Sequence, residues 1–314
     1  MGRVVISVIA LIILATIVVG RAEAQTTDID VEVSDAEYDF GQQITFHLKA
    51  TAPTTITKAN LFLSVEGQPD TTAVPVPIDP GAEISVDFQY DTAGHVLPPF
   101  AVINYWWQLH DEEGAQHSTE KNLLYYSDNR FAWQSVAEKP QGISLEVYWL
   151  QGDVAFGQSA LNVAVRALSE IYRQLQEPVP GVIRIFIYPS EGELRNILNL
   201  TGYGWSGGQA RADLGVILIG IPDGPGALGE MERLIPHELT HLLVYQATRR
   251  MPNHVPPWLD EGLATLSEFR RDPSRPALLK RALAEDGLFP LQVLCAPFPN
   301  DESAALLAYA QSES

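Results

Sequence analysis

The hydrophobic residues of this chain follow two different periods, and the change between them divides the sequence into two parts. From Asp28 to about Tyr126, apolar residues alternate with polar ones, and turn-forming pairs such as Glu66-Gly67 separate the runs. Alternation with a period of two is typical of strands with one buried face. Two of these runs, at 44–48 and 59–65, predict separate strands. About seven short strands at this spacing predict an all-β domain at residues 27–127 with an immunoglobulin-like sandwich fold.

Strand and helix patterns alternate after Gly142. Apolar residues with helical spacing predict helices at 155–176 and 191–200, and predominantly apolar runs predict strands at 143–150, 182–188 and 216–221. The segment 127–141 is interpreted as the junction between the two parts. Residues 143–314 are therefore predicted to form a second domain, in which helices cover a small sheet.

The N-terminus has the pattern of an export signal. A basic start at Arg3 precedes an apolar run at 4–20, and Ala22-Glu-Ala24 follows before Gln25. This order predicts a secretory signal peptide at residues 1–24 with cleavage after Ala24. The apolar run is also close to the length of a short spanning helix, so an N-terminal membrane anchor is the alternative. Either interpretation predicts an exported protein, extracellular or in the cell envelope.

The charge of the chain excludes some classes of partner, and its cysteine content excludes one class of fold. The chain of 314 residues has a formal charge of −19 and no block of basic residues. Nucleic acids and anionic membrane surfaces are bound through clustered Lys and Arg, so neither is expected as a partner. A membrane is expected only if the N-terminal segment stays as an anchor. The single cysteine, Cys295, excludes an internal disulfide framework.

The strongest chemical signal is the motif His237-Glu-Leu-Thr-His241 within an apolar stretch. On a helix, residues i and i+4 lie on the same face, so both imidazoles can point at one ion. The stretch is apolar nearly all round, which predicts a buried helix. Because buried imidazoles and a buried Glu238 carboxylate need partners, a bound metal would stabilise them. The alternative is a core helix whose histidines are simply hydrogen-bonded.

A second helix is predicted after a proline-bearing connection. It begins at Trp258-Leu-Asp-Glu-Gly-Leu-Ala264 and has its leucines on one face. Glu261 lies on the side with small residues, Gly262 and Ala264, which allows close approach to another helix. His254 lies in the connection and is expected too far from the histidine pair to be a ligand. Asp260 is interpreted either as orienting a ligand or as an exposed carboxylate at the helix start.

These two motifs together resemble the gluzincin metallopeptidases, and among them the bacterial peptidase MA-like domains. The resemblance covers roughly residues 143–314 and is most specific in the pair of motifs His237-Glu-Leu-Thr-His241 and Trp258-Leu-Asp-Glu-Gly-Leu-Ala264. It implies an α+β fold class, with a zincin-like metallopeptidase domain preceded by the all-β immunoglobulin-like sandwich. It also implies one Zn²⁺ held by His237, His241 and Glu261, and a peptide or protein substrate.

The implied reaction is zinc-dependent hydrolysis of peptide bonds. Glu238, beside the first histidine, is placed to be the general base that takes a proton from a zinc-activated water. By the same resemblance Tyr309 is a candidate to stabilise the oxyanion, although a tyrosine packed in the last helix is the alternative. The element Tyr309-Ala-Gln-Ser312 is similar to one that family members carry with more chain after it, so a longer natural domain is expected.

One loop could bind substrate. Gly207, Gly208, Gln209 and Ala210 are predicted either to form a cleft edge, where an extended peptide adds as a strand, or to be an ordinary flexible loop. Two other functions remain open for the whole chain. One is a catalytically inactive zinc-binding module, and the other is an envelope adhesion module whose biology resides in the sandwich.

Overall fold

The computed structural model describes residues 29–92, 97–175, 181–200, 208–248, 255–299 and 301–314. The predicted signal peptide at 1–24 lies outside these residues. Within the described part of the chain, no helix combines the length and apolar character needed to cross a membrane.

The N-terminal part consists of strands joined in one hydrogen-bonded sheet of seven. Strand β2 belongs to both halves of this sheet: its first part pairs with β1 and β4, and its second with β3 and β5. The all-β character agrees with the alternating pattern. The strands are β1 (Asp30–Asp39), β2 (Gln43–Val65), β3 (Thr71–Val76), β4 (Gly81–Asp91), β5 (Ala101–Asp111), β6 (Gln116–Ser118) and β7 (Asn122–Tyr126).

The two strands predicted at 44–48 and 59–65 are one strand of 23 residues, so the prediction of a break between them was wrong. The stretch from Thr51 to Thr57 contains no glycine, asparagine or aspartate to form a turn, and its threonines favour an extended backbone. Pro53 has no N–H to give to a ladder, and the register with β4 shifts between Thr51 and Ile56. The chain therefore bends at this point without turning back.

The second part is a sheet of five strands with helices packed against both of its faces. Its strands β9, β10 and β12 are parallel, and the edge strands β8 and β11 are antiparallel to their neighbours. Strand β8 lies inside the segment predicted as a junction and completes this sheet. The strands are β8 (Gln134–Glu138), β9 (Ser144–Trp149), β10 (Val182–Tyr188), β11 (Gly208–Arg211) and β12 (Val216–Gly220).

The helices agree with the predicted order and cluster after β12. A short 3₁₀ turn at Pro140–Gly142 precedes β9. The helices are α1 (Val154–Leu175), α2 (Glu191–Leu200), α3 (Ala227–Ala247), α4 (Pro257–Ser267), α5 (Ser274–Ala284), α6 (Leu291–Leu294) and α7 (Glu302–Ser312).

The five-stranded sheet is buried on both faces. Alternate residues of β10 point to opposite sides, as the strand period of two requires. Ile185 and Ile187 pack with α1 and α3, whereas Phe186 and Tyr188 belong to the core of the N-terminal sheet. Phe186 stacks on Phe100 of the N-terminal part with ring centroids 3.6 Å apart. The two predicted domains therefore share one continuous hydrophobic core.

A buried acidic residue joins the same interface. Asp128 has no exposed surface and accepts hydrogen bonds from the Arg130 guanidinium at 2.8 and 2.9 Å. The Tyr188 hydroxyl donates to it at 3.2 Å, and burial followed by the nearby Asp128 charge raises the pKa of that phenol. Trp133 places its ring edge against Phe186 and Tyr188. The connecting segment therefore packs against both the N-terminal sheet and the five-stranded sheet.

The domain boundary at residue 127 stays a prediction, and the shared core determines what a fragment should do. We expect residues 27–127 alone to fold as a β protein that is less stable than the full chain. Returning one large apolar side chain such as Phe100 to water costs roughly 1.5–3 kcal/mol. Far-ultraviolet circular dichroism should show strand without helix, and urea unfolding should have a lower midpoint than in the full chain. A fragment without a cooperative transition would contradict the boundary, and one as stable as the full chain would contradict the importance of the shared core.

Candidate active site

The site is built on α3, which holds His237, Glu238 and His241 and contains Pro236 in its interior. Proline has no backbone N–H, so the Glu232 carbonyl loses its partner within the helix. The backbone N–H of Phe269, just after α4, donates to this carbonyl at 2.9 Å. The end of α4 is therefore attached to α3 about one turn before the first histidine.

The three residues predicted as metal ligands converge. One ligand atom from each of His237, His241 and Glu261 lies within 4.8 Å of the others. Oε2 of Glu261 is 3.3 Å from Nε2 of His237 and 3.7 Å from Nε2 of His241. Among the described residues, this buried oxygen has no hydrogen-bond partner of acceptable geometry. Three ligand atoms thus face a common point, and Oε2 of Glu261 has no hydrogen bond of acceptable geometry to either histidine.

The other ring nitrogen of each histidine faces a carboxylate. Nδ1 of His237 is 3.1 Å from Oε1 of Glu268, and Nδ1 of His241 is 3.1 Å from Oδ1 of Asp260. The Glu268 carboxylate accepts, so Nδ1 of His237 carries the hydrogen and Nε2 of His237 can present a lone pair. Oδ1 of Asp260 lies at the same distance from His241 but has no hydrogen bond of acceptable geometry among the described residues. This arrangement is the usual one for metal-binding histidines. Of the two interpretations of Asp260, the structure favours contact with a ligand residue over an exposed carboxylate.

Glu268 was missed in the sequence analysis, although its spacing held a signal. It follows Glu261 by seven residues, which is about two helical turns and places both on the same side of α4. Glu268 accepts from Arg275 at 2.9 and 3.1 Å, and Arg275 also reaches Glu313 at 3.3 Å. Arg275 is buried, with 5% of its surface exposed. The α5 arginine therefore compensates the carboxylate that orients His237.

This donor set fits a zinc ion. Two imidazole nitrogens and one carboxylate oxygen are the ligands of many catalytic zinc sites, which keep a further position open for water. Two further features are typical of such sites. Oε2 of Glu261 has no hydrogen-bond partner among the described residues, and a carboxylate faces Nδ1 of each histidine. His254, which was predicted not to be a ligand, lies outside the described residues.

The charges around the site favour a cation. Burial disfavours the charged imidazolium of His237, but the close contacts with the Glu261 and Glu268 carboxylates outweigh it and raise the pKa of His237 to about 10. Burial also disfavours the charged form of His241, but the contact with Asp260 and the Glu261 charge outweigh it and raise the pKa of His241. Burial opposes a lower pKa for Glu261, but His237 and His241 together lower it. The two histidines thus hold protons that a metal ion would replace, whereas the Glu261 carboxylate is already ionised.

Glu238 lies beside this group and faces strand β11. Its side chain is buried, and burial is the main reason why its pKa is raised. The backbone N–H of Ala210 donates a hydrogen bond to it, which opposes the rise. A Cβ on Gly208 would overlap Oε1 of Glu238 and lie 2.9 Å from its Cδ. Glycine at position 208 therefore lets β11 approach the carboxylate.

Part of the predicted substrate loop lies at the edge of a cleft. Gly208, Gln209 and Ala210 form β11 and line a cleft of about 320 Å³ together with the histidines, Glu238 and Glu261. A flexible loop is excluded for these positions, because β11 pairs with β12 over Gly208–Arg211. Gly207 lies outside the described residues.

Tyr309 of α7 also lines the cleft. Its ring centroid is 6.2 Å from that of His237, and a hydrogen bond from Tyr309 contributes to the lowered pKa of Glu261. Burial, followed by the charges of Glu261 and Glu238, raises the pKa of the phenol, which therefore stays protonated. The helix comes close because Gly262 has no side chain: a Cβ there would lie 3.0 Å from the Ser312 carbonyl carbon. Helix α7 therefore packs against the side of α4 that carries the small residues.

The remaining histidines that the structure describes lie in the N-terminal sheet, away from the site. His47 contacts Asp87 at 2.6 Å on the N-terminal sheet, and His110 and His117 lie in strands β5 and β6. His95 lies outside the described residues. Cys295 is an exposed free thiol.

Comparison with solved structures finds chains of low sequence identity. An aminopeptidase N family protein from Idiomarina loihiensis is 10% identical with a TM-score of 0.42, covering 89% of this chain and 64% of that one. An M1 zinc metallopeptidase from Deinococcus radiodurans is 14% identical with a TM-score of 0.37, covering 92% and 81%. Catalytically inactive OgpA from Akkermansia muciniphila, in complex with an O-glycopeptide substrate, is 10% identical with a TM-score of 0.26, covering 32% and 29%.

The sequence itself matches one family. A search of the curated proteins finds no match. The profile of the Peptidase MA superfamily matches residues 159–314, which include all of α3, α4 and α7. The matched segment contains His237, His241 and Glu261. Residues 159–314 therefore match the peptidase MA superfamily, which is consistent with a gluzincin-like peptidase MA domain.

Proposed function

We propose that this protein is an exported zinc-dependent peptidase that hydrolyses peptide bonds with a zinc-activated water. The observation on which the proposal rests is the convergence of three donor atoms in an open cleft beside a buried carboxylate. His237, His241 and Glu261 supply the donors, and Glu238 is the carboxylate. A structural zinc site has no use for Glu238 in this position.

The roles follow from the geometry of the chain. His237, His241 and Glu261 would hold one Zn²⁺, which when bound lowers the pKa of a water and polarises the scissile carbonyl. Glu238 accepts the proton of the attacking water and delivers it to the leaving nitrogen. Its raised pKa suits both steps, because a general base must also release the proton that it gains.

The other cleft residues position the groups that react. Asp260 and Glu268 orient the histidines through Nδ1, so that each Nε2 faces the metal position. The protonated Tyr309 hydroxyl, across the cleft from Glu238, donates a hydrogen bond to the oxyanion that develops. In the substrate-free protein it contacts Glu261.

The edge of β11 is the proposed substrate-binding element. Among the described strands none pairs with its outer side, so an extended peptide can add there as a strand. Oε1 of Gln209 is buried without a hydrogen-bond partner within the described part of the chain and is available to a peptide N–H. A peptide or protein substrate is therefore proposed.

The N-terminal region completes the proposal. Residues 1–24 are proposed as a secretory signal peptide, with retention as a membrane anchor as the alternative. The β part at 27–127 is proposed to have an immunoglobulin-like arrangement, in which the two halves of β2 each belong to one layer. The formal charge of −19 argues against nucleic acids as partners.

Metal analysis paired with a peptidase assay tests the proposed function. We expect about one zinc per purified chain, as a site with three protein ligands predicts. Hydrolysis of an unstructured protein substrate should stop with 1,10-phenanthroline and return with added zinc. Zinc without hydrolysis would favour a catalytically inactive zinc-binding module. A chain without zinc and without activity would favour an adhesion module instead.

A further inference from the structure

A turn of the N-terminal sheet touches the strand that edges the cleft. Gly67 lies in the turn between β2 and β3 with a φ of +84°. A Cβ at this glycine would lie 2.7 Å from the backbone oxygen of Asp213, in the turn between β11 and β12. A contact that close is impossible for a real side chain, so one of the two backbones would have to move.

The β11–β12 hairpin is fixed from both sides at this point. Arg211 holds Asp213 through two hydrogen bonds of 3.2 and 3.0 Å, and the Leu214 N–H donates to the Arg211 carbonyl at 3.0 Å. Leu214 packs against the core of the N-terminal sheet, whereas Ala210 packs against the core under the helices. The tip of the hairpin therefore cannot shift without moving β11.

A shift of β11 would reach the proposed chemistry directly. Ala210 donates its N–H to Glu238, and Gly208 lies against the same carboxylate. We infer that the β2–β3 turn is a positioning element of the peptidase cleft, which sets the place of β11 relative to Glu238 through the contact of Gly67 with Asp213. This inference rests on the proposed function for its effect on catalysis, but the contact itself does not.

The chain contains a matched control for Gly67. Gly114 follows a glutamate in another hairpin turn of the same sheet, and its φ of +85° is nearly equal. Nothing lies within 4 Å of a Cβ placed there. Alanine at either position strains the backbone to the same degree, whereas only Gly67→Ala collides with Asp213.

The experiment compares the full chain with Gly67→Ala and Gly114→Ala. Hydrogen–deuterium exchange should be faster over residues 208–219 in Gly67→Ala and unchanged there in Gly114→Ala. For a long quenched peptide, KM in Gly67→Ala should rise on the order of tenfold, since small misplacements in a cleft are costly, with kcat less affected. Zinc content should stay the same in all three proteins.

Equal exchange over 208–219 in the two variants would overturn the inference, as would an unchanged KM in Gly67→Ala. If Gly67→Ala cannot be purified folded, Gly67→Asn replaces it, because asparagine tolerates a positive φ but carries the same Cβ; it should produce the same exchange and KM changes, and their absence would also overturn the inference. A wild-type chain without peptidase activity would refute the proposed function, while the exchange comparison would still decide whether the turn positions β11.

Discussion

Glu238→Gln is expected to abolish peptide hydrolysis while zinc remains bound. Glutamine has nearly the same shape and still accepts the hydrogen bond from Ala210, so the three ligands keep their places. The amide cannot take a proton from water, and loss of a general base lowers kcat by roughly 10²–10⁴-fold. The measurements are kcat on a quenched peptide and zinc content by mass spectrometry.

The control for this variant is Glu230→Gln on the same helix. Glu230 lies at the surface in an ion pair with Arg233 at 2.6 Å, and such pairs contribute about 1 kcal/mol or less. We expect Glu230→Gln to keep full activity. A Glu238→Gln protein with wild-type kcat would refute the role of Glu238, and one without zinc would show that the carboxylate has a structural role instead.

Glu261→Ala is expected to weaken zinc binding by orders of magnitude, because it removes one of three ligands and leaves the imidazoles without the oxygen that they face. Asp260→Asn should have a smaller effect, on the order of tenfold at most, because Asp260 faces Nδ1 of His241 and not the metal position. His254→Ala should leave zinc occupancy intact. Competition with a chromophoric chelator measures all three affinities.

The order of the three effects is what discriminates between ligand sets. If Glu261→Ala kept its zinc while His254→Ala lost it, the assignment of the third ligand would be wrong. If Asp260→Asn lost as much affinity as Glu261→Ala, then Asp260 would be a direct ligand, which its position at Nδ1 of His241 opposes.

The ligands were predictable because their geometry is local. A spacing of four places His237 and His241 on one helix face whatever surrounds them, and the small residues after Glu261 indicate the side of α4 that another helix approaches. In the structure, α7 packs against this side of α4, with Ser312 next to Gly262. That pairing depends on how the chain returns after α5, and no local pattern specifies it.

The sequence predicted only part of the hydrophobic core that the two parts of the chain share. The apolar run of β10, which only Arg184 interrupts, indicates a strand buried on both faces. It does not say which element covers the second face, and the choice of Phe100 for Phe186 depends on the packing of the two sheets. The long strand β2 was missed for a related reason, since a break in the alternation can mean either a turn or a bend.

Arg275 shows a different limit. Its guanidinium compensates Glu268 and Glu313 in the interior, yet in the sequence it is an ordinary arginine in a polar connection. Buried ion pairs join residues that are distant along the chain, and no periodicity marks them. Glu268 could have been inferred from its spacing to Glu261, but its partner could not.

The proline in α3 affects how metal can enter the site. Because Pro236 leaves the Glu232 carbonyl open, Phe269 can join the two ligand-bearing helices through the backbone alone. The ligands are then held in position before any ion arrives, and binding need not supply the entropy of ordering two helices. In small zinc domains, by contrast, the metal supplies the folding free energy and its removal unfolds the chain. At the proposed zinc site, exchange of the ion would then be a local event, because the backbone hydrogen bond that joins the two helices does not depend on the ion.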